Sequence, residues 1–194
     1  MLISLATAMV GGMSMGPYQG RETGELAHLR ELLDRLEAGD VALADKLYCT
    51  YFMIVLLLAR KVDLVTLLHQ SRDAGAEVRR GQRLGKGDYL ITWHRPDRPD
   101  WMDEETYAQV PEQLELRLVQ VKITEWGFRT KSLNIVTTLT DPSQYCVDDL
   151  SLLYRERWNA APTIRHLLPR PRWCYPLAAI APTPCATTGS AIQA

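Results

Sequence analysis

Apolar residues recur along the first seventy positions with two distinct periods. Leu26, Leu29, Leu32, Leu33 and Leu36 fall three and four residues apart with charged residues between them. That spacing predicts an amphipathic helix from Thr23 or Gly24 to about Glu37, closed by Gly39. Val41-Ala42-Leu43-Ala44 instead predicts a short strand ending on Asp45. A polar step from Lys46 to Thr50 then leads into a helix over Tyr51–Lys61 and a strand over Val62–Leu68. Upstream, Leu2–Val10 reads as a strand, Gly11-Gly12 as a tight turn and Met13–Tyr18 as the hairpin partner. Hairpin, helix, strand, helix, strand is the order of a mixed α/β sheet.

The pattern changes at Ser71–Lys86. Arg72, Arg79, Arg80, Arg83 and Lys86 stand against Asp73 and Glu77, with glycines at 75, 81 and 85. This reads as a flexible basic loop, a solvated surface or a segment shaped for phosphate contacts. Asp88–Arg95 is strand-like, Asp100–Tyr107 an acidic loop with a helical turn, and Leu114–Glu125 and Lys131–Thr140 two further strands. Residues 71–140 therefore form a β-rich insertion between a core at 1–70 and a closing helix at 141–160. That helix begins near Val147, where Asp148 and Asp149 favour an N-terminus.

Composition narrows the class only modestly. The chain has 194 residues, 46% hydrophobic and 23% charged, with a net charge of −1, as for an ordinary globular domain. That balance neither favours nor excludes nucleic acid, which local patches can bind. Cys49, Cys146, Cys174 and Cys185 show neither ligand spacing nor a disulfide framework, so a reducing compartment is expected. The four scattered histidines do not suggest zinc. Tyr51–Ala59, the longest apolar run, is about half the length of a membrane-spanning helix. Met1–Met15 lacks the positive start of a signal peptide, so the expected location is the cytoplasm.

Two places carry chemistry. Asp45 ends a strand, and in open α/β sheets reactive groups gather at the carboxyl ends of strands. It is a candidate metal ligand or simply the cap of the turn that follows. The second place is Tyr154-Arg155-Glu156-Arg157-Trp158-Asn159 on the closing helix. With Leu43-Ala44-Asp45-Lys46-x-Tyr48 upstream, it makes the chain resemble DDE transposases of bacterial insertion sequences, of the insertion-sequence-four type, from Met1 to about Ala160. The resemblance implies a ribonuclease-H-like mixed sheet interrupted by a β-rich insertion. It also implies three carboxylates holding two Mg²⁺ ions for phosphoryl transfer on DNA. Asp45 matches the second carboxylate. Tyr154 and Arg157 match the first two positions of Tyr-x2-Arg-x3-Glu-x6-Lys, whose cations grip phosphates. Duplex DNA at transposon ends, other transposase copies and a bacterial nucleoid location follow as expectations, with Arg79, Arg80 and Arg83 as further DNA contacts.

The departures are as informative as the match. Ala161 stands where the signature has Glu, Leu168 where it has Lys, and the strand bearing the first carboxylate would precede Met1. One ligand of three remains. From 161 to 194 there is no Asp, Glu or Lys, and six of the eleven prolines fall there. This predicts a disordered tail, as if read out of frame, or else a proline-rich linker. The expected function is that of a transposase fragment without cleavage activity. The alternative is a remnant that only binds DNA or a full-length transposase. An unrelated metal-free α/β domain is more distant.

Overall fold

The computed structural model of the chain describes residues 1–5, 9–16, 24–122, 132–167 and 177–180, the last ten residues of the long helix and the final strand as backbone alone. Its strands are β1 (Leu2–Ser4), β2 (Val10–Gly12), β3 (Val41–Leu43), β4 (Asp63–Leu67), β5 (Gln82–Gly85), β6 (Asp88–His94), β7 (Gln113–Lys122), β8 (Ser132–Thr137) and β9 (Leu177–Ile180). The helices are α1 (Glu25–Leu32), α2 (Tyr51–Leu58), α3 (Ala74–Arg80), α4 (Glu104–Gln109) and α5 (Val147–Leu167). Six strands in the order β3-β4-β8-β7-β6-β5 make a continuous mixed sheet, and β9 joins it to the β1–β2 hairpin. β3 and β4 run parallel, while β4 through β5 alternate in direction.

Side-chain alternation along the strands builds two layers. Ala42, Leu64, Leu116, Leu118, Ile91 and Trp93 face a core completed by Leu29 and Leu32 of α1 and Ile54 and Leu57 of α2. Val41, Leu43, Val65, Val119 and Ile135 face the other way, against Leu150 and Tyr154 of α5. The period-2 rule that sends neighbours to opposite faces thus puts Asp45, in phase with Val41 and Leu43, on the α5 side. α2 is apolar nearly all round, with Met53, Ile54 and Leu57 buried and Leu58 exposed. It starts at Thr50, whose hydroxyl accepts from Met53 N.

Several expectations need correction. Leu2–Val10 is not one strand: β1 and β2 themselves form the antiparallel hairpin, so Gly11 and Gly12 lie in β2 rather than in a turn. Residues 13–16 form no strand, and 17–23 lie outside the described residues. Ser71–Lys86 is not a flexible loop. Asp73 caps α3 by accepting from Gly75 N, and β5 pairs with β6. The helical turn expected in 100–107 is α4, capped by Asp103. The tail is not wholly without structure, since α5 continues past Pro162 to Leu167 and β9 lies between β1 and β3. A proline within a helix forfeits one backbone bond. The rest of the tail, with Leu168, Cys174 and Cys185, lies outside the described residues. Among the described residues, no helix is long and apolar enough to cross a membrane.

Candidate functional site

Asp45 sits where β3 gives way to a short 3-10 turn, Lys46–Tyr48. Its backbone is extended, and its Oδ1 accepts from Lys46 N at 2.5 Å, so the capping role is realised. Its carbonyl accepts from Thr66 Oγ1 of β4 at 2.9 Å, which locks the strand end in place. The other carboxylate oxygen, Oδ2, faces Arg157 Nη1 of α5 at 3.4 Å. The two residues are 112 positions apart in sequence. Their side chains are 16% and 4% exposed, so this is a sheltered pair rather than a surface contact.

Tyr154 lies one turn before Arg157 and is fully buried. Its ring centroid is 5.2 Å from the Arg157 guanidinium carbon. Its hydroxyl has no hydrogen-bond partner among the described residues. Burial pushes this phenol up to about 12; the Arg157 charge opposes that and the Asp45 charge adds to it. The spacing of three residues on one helix face explains why Tyr154 and Arg157 act on the same point. Glu25, at the start of α1, also feels Asp45. Burial first, and then the Asp45 charge, raise its carboxyl above the ordinary value, with a hydrogen bond from Tyr48 opposing. Sequence reasoning missed Glu25 and Thr66, because nothing local marks a residue that closes a site from another element.

The remaining sequence-predicted residues are elsewhere. Arg79 and Arg80 end α3, and Arg83 lies on β5. β5 is the edge strand, five inter-strand steps of ~4.8 Å from β3, or roughly 24 Å. Arg79 pairs with Asp73 at 3.7 Å, and Arg83 Nε donates to the Gly85 carbonyl at 3.1 Å. α3 packs through Ala74 and Val78 on the α1–α2 face, opposite α5. The structure therefore brings Asp45, Tyr154 and Arg157 together and leaves the arginines of 79–83 apart. One thread connects them: Lys46 Nζ donates to Gln70 Oε1, at the start of the basic segment.

Magnesium demands several oxygen ligands in near-octahedral geometry. Asp45 offers one carboxylate, already engaged by Lys46 N and Arg157, and Ala161 supplies no oxygen from its side chain. Among the described residues no three His, Cys, Asp or Glu side chains come together. The donor set does not fit a two-metal centre. What it can do is hold a cation and a phenol in a sheltered spot at the carboxyl end of the sheet. No protein-family model, curated protein or solved structure matches the chain.

Proposed function

We propose that this chain is a transposase-derived domain of the ribonuclease-H-like type that binds duplex DNA without cutting it. The observation that supports this most is the meeting of Asp45 with Arg157, backed by Tyr154, at the carboxyl end of β3. These are the positions that the resemblance to insertion-sequence transposases singles out, and they come from opposite ends of the chain. The incomplete ligand set speaks against strand cleavage, since two-metal phosphoryl transfer needs both ions clamped.

The experiment is a nicking and binding assay on a transposon-end duplex with Mg²⁺ or Mn²⁺. The expected outcome is retention of the duplex at low salt and no nicking. Ala161→Glu alone is expected not to create cleavage, because one further carboxylate still leaves the ligand set short. Metal-dependent nicking abolished by Asp45→Ala would show the chain to be an active enzyme. Failure to retain any duplex at low salt would remove DNA as the partner.

A further inference from the structure

A cleft of about 510 Å³ opens between the end of α3 and the outer half of β6. It arises because β5 pairs with β6 only as far as Leu90, leaving Ile91–His94 with β7 on one side and no strand on the other among the described residues. Arg72, Glu77, Arg80 and Gly81 form the opposite wall. At Gly81 the backbones approach so closely that a Cβ would stand 2.9 Å from the Leu90 carbonyl oxygen, which fixes how α3 leans on β6.

The polar groups of this cleft are mostly donors. The Arg72 guanidinium stacks 3.6 Å above the Trp93 ring, and Glu77 holds it there at 3.1 Å. Arg80 is exposed at the rim. Trp93, only 2% exposed, carries a buried indole N–H with no hydrogen-bond partner among the described residues. Its ring, under Arg72, forms part of the cleft wall. Among the described residues Glu77 is the sole carboxylate in the lining, and it is already committed to Arg72. The volume exceeds what one phosphate fills and falls in the range of about 300–1,000 Å³ that small-ligand sites span.

We propose that this cleft is a binding site for a phosphate carried on a nucleotide unit, with Arg80 and Arg72 supplying the charge and the Trp93 ring backing Arg72. It rests on the DNA-binding reading only for the source of the phosphate, a backbone phosphodiester rather than a free nucleotide. The cleft lies on the face opposite Arg157, so it is a second contact and not part of the Asp45 cluster.

The test titrates the full chain at low salt with deoxyadenosine monophosphate, inorganic phosphate, a random-sequence duplex and an unphosphorylated acidic peptide, reading tryptophan fluorescence and duplex anisotropy. Arg80→Ala is expected to weaken nucleotide and duplex binding about tenfold, as loss of one charge-assisted contact does. Arg35→Ala, an exposed arginine outside the cleft, should change either by less than about twofold. Trp93→Phe keeps an aromatic ring under Arg72 and removes the fluorophore that lines the cleft. It should abolish the nucleotide-induced fluorescence change while circular dichroism stays native. If the duplex fails to bind but the nucleotide binds and Arg80→Ala weakens it, the cleft stands and the DNA-binding function falls. If the duplex binds and Arg80→Ala matches Arg35→Ala, the function stands and the cleft assignment is overturned. Equal competition by the acidic peptide, with nucleotide and phosphate inert, overturns it as well.

Discussion

Arg117 and Asp88 meet in the interior, with Nε–Oδ1 at 2.8 Å and Nη2–Oδ2 at 2.7 Å, and Arg117 Nη1 reaches on to the Tyr145 carbonyl at 2.6 Å. A guanidinium buried among three acceptors ties β6 and β7 to the loop that starts α5. Removing one partner strands the other charge in a medium of low dielectric, so Asp88→Ala should cost about 3–5 kcal/mol in urea denaturation. A loss below 1 kcal/mol would mean that water reaches Arg117. Glu25 offers a gentler probe. Its native carboxyl titrates above the ordinary value of 4.5, because of burial and then of Asp45. The folded state therefore holds the proton more tightly. The stability this contributes is present below the unfolded pKa and is lost as pH rises through the native one. Glu25→Gln should flatten the decline of stability above pH 4.5, and an unchanged slope would show that its surroundings are solvated.

At the scale of elements, the β5–β6 hairpin depends on one residue. Gly87 has φ +72°, and a Cβ there would lie 2.8 Å from the Gln120 carbonyl oxygen on β7. A side chain is strained twice, by the left-handed backbone and by the close approach. Gly87→Ala should destabilise by at least ~1–2 kcal/mol and speed hydrogen exchange at Gln82–Gly85. Exchange that stays slow there would show that the turn has other solutions. The same hairpin carries Arg83, so the strain would also bear on duplex affinity. If Arg79, Arg80 and Arg83 each neutralised a phosphate, removing all three would flatten the salt dependence of binding by about three units. With Arg79 paired to Asp73 and Arg83 folded onto the Gly85 carbonyl, Arg80 should account for most of the change, about one unit.

On the scale of the molecule, β2 is, among the described residues, the edge of the sheet opposite β5, bordered by exposed apolar side chains. Met9, Val10, Met13 and Met15 are 68%, 47%, 55% and 83% exposed. An unpaired edge with apolar neighbours is a template for pairing with another chain. The edge falls on β2 rather than β1, because β9 covers the other side of β1. We expect concentration-dependent association and a thermal midpoint below the ~45–65 °C of stable mesophilic domains. Val10→Lys should reduce the association in light scattering at two concentrations. A monodisperse monomer with a sharp melt inside that range would count against the liability.

Local pattern carried the elements whose burial is written in short-range spacing. The leucines of α1, the strand leading to Asp45, the apolar α2, the alternation of β7 and the strand-like runs of β6 and β8 were all legible, because each presents its core face through neighbours within a turn or two. The Ser71–Lys86 segment was not legible. Its glycines and arginines argue for a loop, and only the Asp73 cap together with Ala74 and Val78 on the α1–α2 core makes it helical. The hairpin at the start was misplaced for a related reason: three-residue strands hold too few positions for a period to show. For the site, the sequence determined that Asp45 lies at a strand end and that Tyr154 and Arg157 share a helix face. Only the tertiary structure decided that Arg157 faces Asp45, that Tyr154 is sealed behind it, and that the arginines of 79–83 are held apart. Such pairings depend on which face of the sheet each helix covers, and a chain's local periodicity contains no record of that choice.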